Sequence, residues 1–176
     1  MKKQFKGFTL IELLVVIAII GLLSTLAVVA LNSARQKSRD AKRVSDIKQI
    51  QTSLELFFAD QNGYPGETAD SDLGTTNYAV LESVDGFDVS TDPDGTIYMG
   101  LVPAAPTPPS PVVPYEYSGF ASQGGADCNT GTSCGYYTIT FTLEGNTGSL
   151  QDSTAVENPE NIVPNCTATP NGITCL

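Results

Sequence analysis

The chain has 176 residues and a formal net charge of −10, and its charges are segregated: all nine Lys and Arg lie between Lys2 and Lys48, while sixteen of the nineteen acids lie beyond residue 48. Such an acidic segment is a poor partner for nucleic acid or an anionic membrane surface and a better one for a cation or a basic face on another subunit. The absence of His excludes Ser-His-Asp and Cys-His catalysis and removes the commonest zinc ligand, and the acids are too numerous to single out a catalytic pair, so the chain reads as a non-enzyme.

Residues 1–7 are short and basic, as the leader of an exported protein is. Leu13 to Leu31 is an apolar run of nineteen residues interrupted only by Gly21, Ser24 and Thr25. As helix it spans about 28 Å, enough for a hydrocarbon core, and its small residues let neighbouring helices approach closely. An ordinary signal peptide cut after Ala27 or Ala30 is the competing reading, with a shorter apolar region expected. Glu12 stands at the mouth of the run. At the centre of a membrane helix a carboxylate costs about 2.5–3.5 kcal/mol, and somewhat less near the edge, so Glu12 should have a partner or a task.

Ala34 to Phe58 continues as an amphipathic helix, with Val44, Ile47, Ile50, Leu54 and Phe57 or Phe58 recurring at three- and four-residue steps and Lys42 able to pair with Asp46 on the wet face. Asn62-Gly63 supplies a left-handed stop and Tyr64-Pro65 prevents continuation. One helix of about 80 Å over residues 8–61 follows, its first half apolar all round and its second half carrying one apolar stripe.

Residues 66–95 are rich in Gly, Asp and Thr and read as loop, with Tyr78 to Leu81 an ordered island. Pro103 to Pro114 holds six of the eleven prolines and reads as extended polyproline. Strands are expected at Thr96–Leu101, Pro114–Ser118 and Tyr136–Glu144. The last alternates cleanly, placing Tyr137, Ile139, Phe141 and Leu143 on one face, for which the stripe at Ile47, Ile50, Leu54 and Phe58 is the natural cover. Among Tyr115, Tyr117, Tyr136 and Tyr137 the alternation puts half in the core. Gly145 to Gly148 turns the chain, and Asp152 to Leu176 reads as a polar tail. Four cysteines behind an export signal suggest disulfides with three possible connectivities, of which the local loops Cys128–Cys134 and Cys166–Cys175 are favoured over crossed pairings or free thiols. The fold class is α+β: a long N-terminal helix packed on a small antiparallel sheet with disulfide-closed C-terminal loops. The divisions are 1–7, a leader; 8–31, a membrane or filament-core helix; 32–62, the amphipathic half; and 63–176, an exported β domain with the Pro-rich loop 103–114.

The stretch Gly7-Phe8-Thr9-Leu10-Ile11-Glu12 behind a basic leader resembles the processing site of type IV prepilins and of the pseudopilins of type II secretion, and Asp60 to Pro65 is similar to the close of the pseudopilin helix. The resemblance implies cleavage by a prepilin peptidase between Gly7 and Phe8, N-methylation of Phe8, and pairing of Glu12 with the terminal amine of a neighbouring subunit in a helical filament. It implies a single-pass precursor in the cytoplasmic membrane that an assembly platform of a pilus or secretion machine transfers to the cell surface. Elementary physics agrees: Gly7 offers no side chain to obstruct a protease cleft, and a buried amine and carboxylate each offset the other's desolvation. Many pilins break this helix with a late Pro, which this chain lacks. The alternatives are a pilus subunit, a major pseudopilin of type II secretion, and, from another class, a signal-anchored enzyme or binding domain. Six basic residues, Arg35, Lys37, Arg39, Lys42, Arg43 and Lys48, follow the apolar run against three before it, so a positive-inside count opposes export; the resemblance and the cysteines favour it, and the six are expected to meet acidic domains of adjacent subunits. Some pseudopilins bind calcium in a loop beyond the helix, and Asp92 and Asp94 could do so here, although the Asp92-Pro93-Asp94-Gly95 stretch lacks the later Glu of an EF-hand loop and reads more simply as a solvated turn.

Overall fold

A computed structural model describes residues 7–67, 71–89, 95–107, 113–129, 133–145 and 165–175. By packing, the chain divides into two units, residues 1–38 and 39–176. Helix α1, Leu10–Gln61, contributes to both. It ends where Asn62 takes a φ of 57° while its N–H still donates to Phe58 O at 2.8 Å. A short polar side chain tolerates that left-handed conformation, and Pro65 follows too closely for the helix to resume.

In the second unit, β1 (Ser71–Leu73), β5 (Tyr115–Phe120), β6 (Tyr136–Thr142), β7 (Asn165–Thr169) and β8 (Gly172–Cys175) form an antiparallel sheet in the order β1-β5-β6-β7-β8. A second antiparallel sheet, in the order β3-β2-β4, contains β2 (Val80–Glu82), β3 (Gly86–Asp88) and β4 (Ile97–Met99). Residues 66–95, expected as loop, thus hold three short strands, and the end of the expected polar tail is the β7–β8 hairpin. Both corrections have one cause: strands of only three to five residues are too short to declare themselves by alternation and are fixed by non-local pairing, as in Phe141 opposite Cys166 and Cys166 opposite Cys175.

The core lies between the apolar stripe of α1 and the larger sheet. Ile47, Ile50 and Leu54 are wholly buried, Phe57 nearly so, and Val44 and Phe58 flank them half-buried. Alternation on the strands supplies the opposing face: Tyr115 and Tyr117 from β5, and Tyr137, Ile139 and Phe141 from β6 with Leu143 just beyond it. Each large apolar side chain so covered contributes about 1.5–3 kcal/mol. Three of the four expected tyrosines are buried rather than half of them; only Tyr136 remains partly exposed. Tyr117 stays inside because its hydroxyl donates to Pro65 O at 2.9 Å, which satisfies the polar end of an otherwise apolar ring.

Two charged residues of α1 lie inside as well. Arg43 is 2% exposed; its guanidinium meets Asp40 Oδ1 at 2.7 Å and Glu144 Oε1 at 2.8 Å and donates to Pro106 O at 3.1 Å. Arg39 Nε donates to Glu144 Oε1 at 2.7 Å and Arg39 NH2 to Glu144 Oε2, while Asp40 accepts the N–H groups of Glu144 and Gly145 at 2.9 and 3.0 Å. The helix is thereby clamped to the chain leaving β6. The hydrogen bond from Arg39 holds the Glu144 carboxyl below the usual carboxylate range, partial burial opposes this, and Arg43 reinforces it. Asp46 pairs with Lys42 at 3.1 Å, yet it is buried and accepts the Tyr115 hydroxyl at 3.2 Å, so the expected wet-face pair is wet only at the lysine. Arg39 and Arg43 are thus paired within the chain, whereas Lys42 keeps an exposed side chain beside Asp46.

Candidate processing and assembly site

The first described residue, Gly7, has open space where a Cβ would stand, and Phe8 is 81% exposed. No crowding within the described chain calls for glycine at position 7, so a requirement for a bare backbone there has to come from another molecule. Thr9 is the N-cap of α1. Its N–H and its hydroxyl both donate to Glu12 Oε2, at 2.9 and 2.6 Å, and the Glu12 N–H returns a bond to Thr9 Oγ1 at 3.3 Å. This reciprocal arrangement is a capping box, in which a Thr and a Glu three residues on satisfy the orphan donors of a helix start. Glu12 therefore already has partners within its own chain. The reading that sought a partner for Glu12 in a neighbouring subunit overlooked this one, although the Thr9-Leu10-Ile11-Glu12 spacing carries the signal.

Beyond the cap, residues 13–31 are exposed and mostly apolar, and α1 is long and apolar enough to cross a membrane. The hydroxyls within the run are satisfied locally: Ser24 donates to Ile20 O at 2.7 Å and Thr25 to Leu22 O at 2.8 Å. They thus present no bare donor to lipid or to a packed helix bundle. At Gly21 no atom lies near the missing Cβ, which leaves a notch in the helix surface.

At the other end of α1, a disulfide loop is laced to the chain as it leaves the helix. Cys128 is bonded to Cys134, and Tyr64 and Cys134 exchange backbone hydrogen bonds at 2.8 and 3.0 Å. Cys166 is bonded to Cys175 across the β7–β8 pair, with a Cα separation of 4.0 Å. Asp92 and Asp94, the residues considered for calcium, lie outside the described residues, as do residues 1–6 of the leader and the centre of the Pro-rich segment. Glu67 is a buried acid that sequence gave no reason to notice. Burial pushes its carboxyl up to about 7; a hydrogen bond with Ser71 opposes the shift, and the charges of Asp88 and Asp85 add to it.

The prokaryotic N-terminal methylation motif matches residues 2–28. The chain is 41% identical over 64 residues to type II secretion system core protein G of Aeromonas hydrophila, covering 36% of this chain and 45% of that protein. It is 38% identical over 74 residues to the corresponding protein of Dickeya chrysanthemi, covering 42% and 47%. With the type IV major fimbrial protein FimA of Dichelobacter nodosus it shares 34% identity over 86 residues, covering 49% and 53%. The chain thus spans about half the length of the curated relatives it matches. No solved structure matches it.

Proposed function

With a prepilin-type methylation motif and relatives among secretion core proteins and fimbrial proteins as premise, we propose that this chain is a structural subunit of a pilin-like filament. In this reading a prepilin peptidase cuts between Gly7 and Phe8 and methylates the new amine of Phe8. The helix waits in the cytoplasmic membrane as a single span and then bundles with its copies, burying residues 8–31, while the acidic sheet domain faces outward at the cell surface. Glu12 exchanges its own Thr9 donors for the terminal amine of the next subunit, a pairing that fixes axial register because each charge is costly to bury alone.

The observation that carries this reading is the conjunction at the start of α1: an unobstructed Gly7, an exposed Phe8, and a carboxylate in the first turn of a helix whose next nineteen residues are apolar. The similarity to secretion core protein G favours a second reading with the same chemistry, a pseudopilus subunit that drives protein secretion. Intact-mass measurement of the mature chain tests what the two share. Loss of residues 1–7 with one added methyl is expected; an intact N-terminus, or a cut after Ala27 or Ala30, overturns it. Deleting the gene and assaying twitching, DNA uptake and secretion separates pilus from pseudopilus.

A further inference from the structure

The two sheets of the second unit meet along a seam lined with acids. On one side Glu67, between the end of α1 and β1, is 4% exposed and lies beside Ser71 of β1 and Tyr117 of β5. On the other side stands the β2–β3 hairpin. One carboxylate oxygen from each of Glu82, Asp85 and Asp88 lies within 4.8 Å of the other two. Glu82 is wholly buried; its Oε1 accepts the Asp85 N–H at 2.6 Å, and its Oε2 has no hydrogen-bond partner among the described residues. Residues 49–176 contain no Lys, Arg or His, so neither sheet carries a base that could neutralise this wall.

The surroundings of Glu67 leave its carboxyl little help. Phe87 of β3 packs edge-on against Tyr117, with ring centroids 4.9 Å apart, and Tyr117 spends its hydroxyl on Pro65 O at 2.9 Å. At Gly86, where φ is 80°, a Cβ would stand 2.8 Å from Pro65 Cβ, so the hairpin turn lies directly against the residues that lead to Glu67. Behind Tyr117 lie Tyr137 and Tyr64, and the Tyr64 hydroxyl donates to Glu55 of α1 at 2.9 Å, which brings a further acid from the helix side. A carboxylate enclosed in this way loses water without gaining a counter-charge, and like charges opposite it add to the cost; a neutral carboxylic acid escapes both.

We propose that Glu67 is a proton-operated latch between the two sheets: as the neutral acid it lets the β2–β3 hairpin lie against β1 and β5, and as the carboxylate it repels the acids of that hairpin and loosens it. The proton comes from solvent and returns to it. Burial, reinforced by the charges of Asp88 and Asp85 and opposed by the bond with Ser71, places the folded carboxyl at about 7 against an ordinary 4.5. The closed state therefore holds the proton more tightly than the open one. Closure is fully favoured below the ordinary value, weakens as the pH rises, and becomes level again above the folded value. The latch is independent of the filament reading.

Hydrogen exchange of the full chain in detergent micelles containing EDTA, read by mass spectrometry and divided at each pH by the intrinsic rate, tests it. Protection over residues 80–88 should fall about tenfold or more from pH 5 to pH 8 and level off above about pH 7. At each pH it should stay below the protection of β6, which marks opening of the hairpin alone. Glu67→Gln, fixed as a neutral side chain, should keep its pH 5 protection at pH 8 within about twofold. The double variant Asp85→Asn, Asp88→Asn should cut the fall by about half or more, because it removes like charge from the facing wall. Glu116→Gln, an acid of β5 that accepts the Thr140 hydroxyl, should leave the fall unchanged. A flat wild-type profile, a fall that persists in Glu67→Gln, or equal protection of the hairpin and β6 would each overturn the latch. If Glu67→Gln fails to fold, the double variant still decides, since an undiminished fall there overturns it too.

Discussion

Replacing Arg43 with Ala should destabilise the sheet domain by about 3–5 kcal/mol, the range for removing one member of a buried ion pair and leaving the other charges uncompensated. The magnitude follows from the site. Arg43 is 2% exposed and holds Asp40, Glu144 and Pro106 O at 2.7, 2.8 and 3.1 Å, and a hydrogen bond to a charged group contributes about 1.5–3 kcal/mol. Against a total of about 5–15 kcal/mol for a domain, that loss is readily seen in the urea midpoint of the full chain in micelles, followed by tyrosine fluorescence. A double-mutant cycle with Glu144→Gln should return a coupling of about 1–3 kcal/mol. Lys42→Ala gives the contrast, because its side chain is 57% exposed and its pair with Asp46 should matter by less than about 1 kcal/mol and fade with salt. Acid provides a further check. The Glu144 carboxyl is depressed below its ordinary value of 4.5, so its contribution is complete above that pH and is lost as the pH falls through the lower folded value; the Arg43→Ala effect should shrink in step. A cost below about 1 kcal/mol for Arg43→Ala, or a coupling near zero, would refute the clamp.

Glu12→Ala should insert and be cleaved but assemble poorly, and normal filaments from it in negative-stain micrographs would refute the pairing role. The same change removes a capping box, so α1 should also lose about 0.5–2 kcal/mol at its start, visible as faster amide exchange over residues 9–13. Gly7→Val should leave an uncut precursor in the membrane fraction, because no contact within the described chain opposes the larger side chain and only a protease cleft would; a mature-sized band disproves this. Glu67→Gln should stabilise the domain by about 1–2 kcal/mol at pH 8 and by little near pH 5. The sign follows from a folded value of about 7 against an ordinary 4.5: the wild type loses stability as pH rises between these values, and the amide has no such slope. Equal urea midpoints for both proteins at pH 8 would discard that account.

What the sequence disclosed and what it withheld divide along local and non-local physics. The helix from Leu10 to Gln61, its stop at Asn62 and the inward face of β6 are written in nearest neighbours and in period, and the resemblance at Gly7 to Glu12 needs only contiguous residues. Arg43 and Asp46 occupy helical positions that by residue type read as solvated, and nothing nearby announces that Glu144, about a hundred residues later, will cover Arg43. The hairpins β2–β3 and β7–β8 are too short for periodicity, and their pairing exists only once the register is set. The Thr9–Glu12 box is the reverse case: it is legible in four residues, yet a membrane-edge acid invites a reading through its charge alone.

In the filament proposed above, recruitment would not be a simple capture of one ion by another, because the Glu12 carboxylate is already bonded to Thr9 of its own chain. It is a trade, in which the helix start surrenders its own closure at the moment a newcomer arrives. The driving force is then a difference between two comparable bonded states rather than the whole strength of either.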